Sequence, residues 1–276
     1  KIKIVGVPRF DFYFPPLTQL LPSKRQIQEK YGLQVNEEAK IALCASNFTI
    51  ASFLNNKSFL QKDWNTLKLN RVDGYRPEQI EDLIKRDVVS RDLTVKYVEK
   101  LLIDFPCLQV IYKPHPSENH LFYKDFISQM VKRFPDRFAF VVQEYIWDLL
   151  SVSDVVLQRT CTTAIEAWMF EKPTLELHLH SKEFYFSEKH ARGSDIAYNY
   201  DDIKKYVDYY CNGGKIAESM RIYRNALLKE WCYKVDGKRT MEVADSISLF
   251  LKLREKAKYS ISARDFISLY PKEYSK

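Results

Sequence analysis

The sequence predicts an α/β fold built on a parallel sheet, and three observations carry that expectation. Short apolar runs recur through the middle of the chain, at residues 41–45, 108–112, 138–142, 155–158 and 174–178. Stretches with helical spacing lie between or beside them, at about 76–104, 119–134, 147–150 and 162–170, so the two periodicities alternate. Gly32, Gly213-Gly214 and Asp236-Gly237 punctuate the pattern where chain reversals are needed. Strands alternating with helices give a parallel sheet covered on both faces and joined by right-handed crossovers.

Taken in order, residues 2–7 read as a short strand ending at Gly6-Val7-Pro8-Arg9-Phe10-Asp11, followed by a connector rich in proline (Pro15, Pro16, Pro22). Ser23 is a suitable N-cap for a helix to Tyr31, with Gly32 as its stop. The run 41–45 is a buried-type strand leaving through Ser46-Asn47-Phe48-Thr49. In the long helical stretch Leu83, Ile84, Val88, Leu93, Tyr97, Leu101 and Leu102 are the core candidates. A break is expected near Ser90-Arg91-Asp92, where Ser90 is able to cap a second helix. Beyond residue 200 the pattern is helical, at roughly 201–211, 216–231 and 238–256, before a basic, tyrosine-rich end. The chain thus divides into an opening strand, linker and helix (1–35), a Rossmann-like domain (36–200) and C-terminal helices packing on it (201–276). Lys1 stands where methionine would begin a protein, and a strand-like run follows at once. The expectation is a chain that begins inside a longer protein.

Composition narrows the function. With 276 residues, 46% of them apolar, the chain can bury a sizeable core. Only seven glycines occur, and neither G-x-G-x-x-G nor G-x-x-x-x-G-K-[ST] is found, which argues against a glycine cradle for a dinucleotide or triphosphate. The net charge of +7 suits acidic small molecules or an anionic lipid face. No nucleic-acid-binding motif accompanies that charge, so nucleic acid is not the expected partner. Cys44, Cys107, Cys161, Cys211 and Cys232 are odd in number and scattered, as reduced thiols in a cytoplasmic protein would be. No apolar run is long enough for a membrane-spanning helix, and no signal peptide leads the chain.

In a parallel sheet, ligands sit outside the carboxyl ends of the strands. Three noteworthy segments follow predicted strands at that edge: Ser46-Asn47, Lys113-Pro114-His115-Pro116 and Thr160-Cys161-Thr162-Thr163. The threonine turn opens a helix whose free N–H groups and partial positive charge favour a phosphate. Capping alone needs one hydroxyl, and three stand here. Thr162 and Thr163 rank above Thr160. Glu166 lies one helical turn further, in reach of a ribose, and its alternative role is to complement the helix dipole. His115, framed by two prolines, either donates to or protonates a leaving phosphate, or is a strand-end histidine satisfied by nearby backbone. Lys113 balances phosphate charge unless strand alternation turns it away. Cys161 has two readings as well, a thiol activated at the helix start or a small packing residue. Together with Ser46, Asn47 and Pro116, which are expected to contact the nucleotide or its phosphates, these residues suggest a nucleotide-sugar site. Glu118, His120, His178, His180, Glu183 and His190 lack a convincing ligand spacing, so they read as solvated loop residues and no metal is expected.

The motifs also resemble a known group. Gly6-Val7-Pro8-Arg9-Phe10-Asp11 resembles the "G-N-P-R-F-D" segment of bacterial surface-carbohydrate biosynthesis proteins, and His115-Pro116 their "H-P" motif. The run from Cys161 through Ala167 with Lys172-Pro173 resembles "C-T-T-(A/G)-(I/V)-E-A … K-P", and Asp236-Gly237-Lys238 their "D-G-K". That resemblance implies the C-terminal half of a GT-B-type glycosyltransferase of capsule or lipopolysaccharide assembly. Its donor is a nucleotide sugar, with a CMP-activated acidic sugar favoured, and no cofactor or metal takes part. The alternatives are a CDP-glycerol-type glycerophosphotransferase, a UDP-sugar 2-epimerase-like enzyme, and a non-catalytic scaffold. Carried over, His115, Thr162 and Thr163 contact donor phosphate and Glu166 the ribose. A glycan or lipid-linked acceptor, with the catalytic base, belongs to an N-terminal domain missing from this chain. The implied location is the cytoplasm, with peripheral association at the inner face of the membrane compatible with it. Val7 departs from the motif, which has asparagine there.

Overall fold

The structure is a computed structural model that describes residues 4–54, 80–180 and 188–256. Among them six strands form one parallel sheet: β1 (Lys40–Ala45), β2 (Leu108–Lys113), β3 (Phe138–Phe140), β4 (Val155–Gln158), β5 (Thr174–Leu177) and β6 (Asp195–Ala197). Their spatial order is β3-β2-β1-β4-β5-β6. The chain builds outward from β1 to one edge, then returns to the other side of β1 and builds outward again. The reversal leaves a crevice between the β1–β2 and β4 ends, the place where such sheets bind ligands. Ala42 pairs with Val110 on one side and Val155 on the other, so all three strands end level.

Helices cover both faces, so the central strands are apolar nearly throughout. Along β1 the side chains alternate. Ala42 and Cys44 join a core with Val110, Tyr112 and Leu157, covered by α2 (Ile80–Asp104), α3 (Lys124–Arg133) and α7 (Tyr200–Cys211). Ile41 and Leu43 face the other core, with Ile111 and Val156. It is covered by α1 (Lys24–Lys30), α4 (Ile146–Val152), α5 (Thr162–Met169) and α8 (Glu218–Cys232). Each fully buried Leu or Ile here contributes about 1.5–3 kcal/mol. Two further helices complete the described chain, α6 (Glu188–Arg192) and α9 (Arg239–Lys256). Among the described residues no helix is long and apolar enough to cross a membrane.

Local signals explain several boundaries. Ser23 Oγ accepts from Gln26 N at 3.2 Å while Gln26 Oε1 accepts from Ser23 N at 2.8 Å, a reciprocal cap that starts α1. Gly32, at φ +67°, ends it. Other expectations need correction. Residues 4–7 form no strand, and Pro8–Tyr13 form a 3₁₀ helix instead. Helix α2 runs through Ser90 unbroken, because Ser90 and Thr94 are buried in its packed face and Thr94 Oγ1 returns to Ser90 O at 2.8 Å. The expected helix from 119 opens as a 3₁₀ turn, His120–Tyr123, before α3. Helix α6 and strand β6 have no counterpart in the sequence reading. The expected helix start at 76, and residues 1–3 and 257–276, lie outside the described residues.

Candidate functional site

The loops leaving β1, β2 and β4 meet in one open cleft of about 680 Å³. Ser46, Lys113, His115, Pro116, Thr162, Thr163 and Glu166 line it, together with Arg9 and the stretch from Val142 to Trp147. Thr160 and Asn47 do not.

A buried carboxylate shapes the His115 loop. Glu118 is 6% exposed and accepts from His115 N at 2.9 Å, from Ser46 Oγ at 2.8 Å and from the Tyr123 hydroxyl. The imidazole is held by its own backbone, since Nδ1 accepts from Ser117 N at 3.1 Å. That contact leaves Nε2 as the nitrogen able to donate into the cleft. Ser46 lines the cleft, but its hydroxyl proton is committed to Glu118, so it braces the loop rather than offering a donor to a phosphate. Lys113 Nζ donates to Val142 O at 3.0 Å, and partial burial lowers its pKa.

The turn after β4 is fixed from below by Glu176, a β5 residue 1% exposed. One carboxylate oxygen accepts from both Thr160 N and Thr160 Oγ1 at 2.8 Å, and the other from Gln158 Nε2 at 2.7 Å. Gln158 Oε1 in turn accepts from Cys161 N at 3.0 Å. This explains why Thr160 departs from its expected role: its hydroxyl is spent inside the protein. Its φ of +37° lies in the left-handed region that non-glycine residues seldom enter. Asn47 departs too, with its amide turned toward Arg159 O at 3.5 Å. Helix α5 then starts at Thr162 with Cys161 as an N-cap that provides no side-chain hydrogen bond. The helix start is left open toward the cleft, with Thr162 exposed and Thr163 Oγ1 at 3.4 Å from Cys161 Sγ.

Glu166 is 2% exposed, and its oxygens accept from Arg9 Nη2 at 2.6 Å and from the Tyr13 hydroxyl. Burial raises its pKa, opposed by the Tyr13 hydrogen bond and the Arg9 charge. Tyr13 is pushed upward by burial and then by Glu166 itself. Both partners come from the 3₁₀ segment Pro8–Tyr13. Asp11 docks that segment by accepting from Arg239 N at 3.0 Å and Thr240 N at 2.6 Å, the first turn of α9. Beside it Phe12, Trp147 and Tyr145 form a stack, with ring centroids 4.9 and 4.6 Å apart.

Glu118, Glu176, Arg9 and Tyr13 were absent from the sequence-derived site. The detectable signal was a carboxylate inside an apolar strand at Glu176, since such a group must be satisfied by hydrogen bonds. Glu118 and His190 are buried rather than in solvated loops. Glu183 lies outside the described residues. No group of three His, Cys, Asp or Glu among the described residues is placed to hold a metal.

The sequence matches no family model and no curated protein. Its structure is similar to solved structures of the wall teichoic acid polymerase TagF. One has a TM-score of 0.56 at 12% identity, covering 92% of this chain and 53% of that one. A TagF variant soaked with CDPG has a TM-score of 0.55 at 12% identity, covering 92% and 51%. A UDP-GlcNAc 2-epimerase from Methanocaldococcus jannaschii is also found, at 13% identity and a TM-score of 0.45, covering 85% and 56%. The chain spans about half the length of the polymerase structures it matches. The likeness shows the fold, a Rossmann-like parallel sheet flanked by helices.

Proposed function

We propose that this chain is the donor-binding half of a GT-B-type enzyme of surface-glycan assembly, transferring a group from a nucleotide-activated donor. One observation carries the reading: the His115 ring, the open start of α5 at Thr162 and Thr163, and Glu166 line one cleft at the carboxyl ends of neighbouring strands. An anionic leaving group seated there meets the helix-start N–H groups, the two threonine hydroxyls and His115 Nε2. These donors, the Nε2–H of His115 among them, hydrogen-bond to the departing phosphate and stabilise the charge that develops on it. Glu166 accepts from the ribose hydroxyls. In the two-domain arrangement the motif resemblance implies, the acceptor hydroxyl and its base face the cleft from the other domain.

For the donor, the reading moves from a CMP-activated acidic sugar to a CDP-linked compound of the CDP-glycerol type. One of the similar TagF structures was soaked with CDPG, which supports a CDP-linked donor over an acidic sugar. Calorimetric titration of cytidine, CMP, CDP and UDP into the wild-type chain, His115→Ala and Glu166→Ala tests this. CDP is expected to bind best. His115→Ala should weaken CDP about tenfold while changing cytidine little, the loss of one charge-assisted hydrogen bond. Glu166→Ala should weaken all ribonucleotides. Absence of binding by any nucleotide would leave a scaffold that merely keeps the fold, and a marked UDP preference would sink the CDP reading.

A further inference from the structure

We propose that the segment Pro8–Tyr13 is part of the donor site and that Arg9 is one of its phosphate-binding residues. The inference rests on the nucleotide reading of the cleft and adds a group that comes from outside the sheet. Arg9 lines the same cleft as His115 and Thr163. Its side chain is 54% exposed while its Nη2 holds Glu166 Oε1 at 2.6 Å. A guanidinium carries five N–H donors in a planar fork, so the contact with Glu166 uses a minority of them. The rest suit an oxyanion, which such a fork can grip with two parallel hydrogen bonds.

Charge bookkeeping in the cleft points the same way. Among the described residues lining it, Arg9 is the only guanidinium, and the ammonium of Lys113 already donates to Val142 O at 3.0 Å. Two carboxylates, Glu144 and Glu166, also line the cleft. Glu144 is paired with Lys30 and with Tyr31, whose hydroxyl donates at 2.5 Å. A diphosphate brought here adds at least two negative charges beside Glu166, and Arg9 is the cation placed between them.

The segment is also built to present that side chain. Asp11 is 2% exposed and accepts from two backbone N–H groups of α9, and Tyr13 is 3% exposed with its ring edge-on to Phe170 at 4.8 Å. Upstream, Gly6 has φ +76° and lies so close to Arg239 that a Cβ there would meet Arg239 Cδ at 2.8 Å. The backbone is fixed on either side of Arg9 while the side chain stays half in solvent. A preorganised arm of this kind loses little entropy when it closes on a ligand.

Affinities of cytidine, CMP and CDP, measured by calorimetry and ligand-observed NMR, test the proposal on the wild-type chain, Arg9→Ala and Arg9→Lys. Thermal unfolding checks that each variant is folded. Arg9→Ala is expected to weaken CDP about tenfold or more and cytidine less than about twofold, with Arg9→Lys between wild type and Arg9→Ala for CDP. Equal losses for cytidine and CDP would mean that Arg9 acts only through Glu166, and would overturn the proposal. So would unchanged CDP affinity in Arg9→Ala. Should Arg9→Ala fail to fold, the CDP-to-cytidine ratio of Arg9→Lys decides, and a wild-type ratio counts against the proposal. A wild-type chain that binds none of the three overturns the nucleotide reading itself, an outcome distinct from a loss confined to Arg9.

Discussion

Replacing Arg159 by methionine is expected to lower the free energy of unfolding by about 3–5 kcal/mol, the range for breaking a buried ion pair. Arg159 is 2% exposed and its partner Asp87 1% exposed. The guanidinium donates to Asp87 Oδ1 at 2.5 Å and to Asn47 O at 2.9 Å, and it lies 5.0 Å from the centre of the Phe48 ring. Asp87 Oδ2 accepts from Ala51 N at 2.6 Å. One pair therefore joins α2, the loop leaving β1 and the turn leaving β4. Methionine keeps most of the volume but takes the guanidinium away from the buried Asp87 carboxylate, and losing the opposite charge in the interior is strongly unfavourable. Against the roughly 5–15 kcal/mol by which a domain is usually stable, that is a large fraction. Urea denaturation of wild type and Arg159→Met measures it, and a difference below about 1 kcal/mol would contradict the ion-pair account. The double variant Arg159→Met/Asp87→Leu should recover part of the loss, because it removes the buried carboxylate as well.

These residues also show which parts of the molecule were legible in the sequence. The strands that build the centre of the sheet are continuous apolar runs, and their alternation with helices is a local property. The start of α1 was legible for the same reason, since Ser23 and Gln26 cap each other across three residues. The expected break at Ser90 failed because capping is a weak local preference, and burial of a long helix against the sheet outweighs it. Strand β6 was missed because Asp195–Ala197 is three residues long and holds one β-branched side chain. At the site, His115, Thr162, Thr163 and Glu166 sit in short motifs with their chemistry visible. What holds them does not. Arg9 reaches Glu166 across 157 positions and Ser46 reaches Glu118 across 72. Assigning the Ser46 and Thr160 hydroxyls to phosphate treated them as free, whereas the fold pairs each with a buried carboxylate.

Glu176 makes stability depend on pH in a direction opposite to the usual one for a carboxylate. Burial pushes its pKa up to about 7 from the ordinary 4.5, against the hydrogen bonds from Thr160 and Gln158 that favour the ionised form. The folded chain therefore keeps this proton to about pH 7, while the unfolded chain releases it near 4.5. Between those values the folded state binds more protons than the unfolded one. The contribution is fully present below about 4.5 and is lost as pH rises through about 7. Its size is at most about 3 kcal/mol. The buried His190 acts in the opposite sense, because burial lowers its pKa, and stability from keeping it neutral is lost as pH falls. The two are separated by comparing wild type with Glu176→Gln, which retains an oxygen for Thr160 but cannot titrate. Urea unfolding at pH 5 and pH 8 should show the variant gaining on wild type by up to about 3 kcal/mol as pH rises. A difference that is the same at both pH values would refute the assignment. Ionised Glu176 is nevertheless the better acceptor for the Thr160 N–H and hydroxyl, and it is those bonds that hold Thr160 at a positive φ costing about 1–3 kcal/mol. The chain accepts a buried carboxylate under this turn because that group keeps the start of α5 aimed at the cleft.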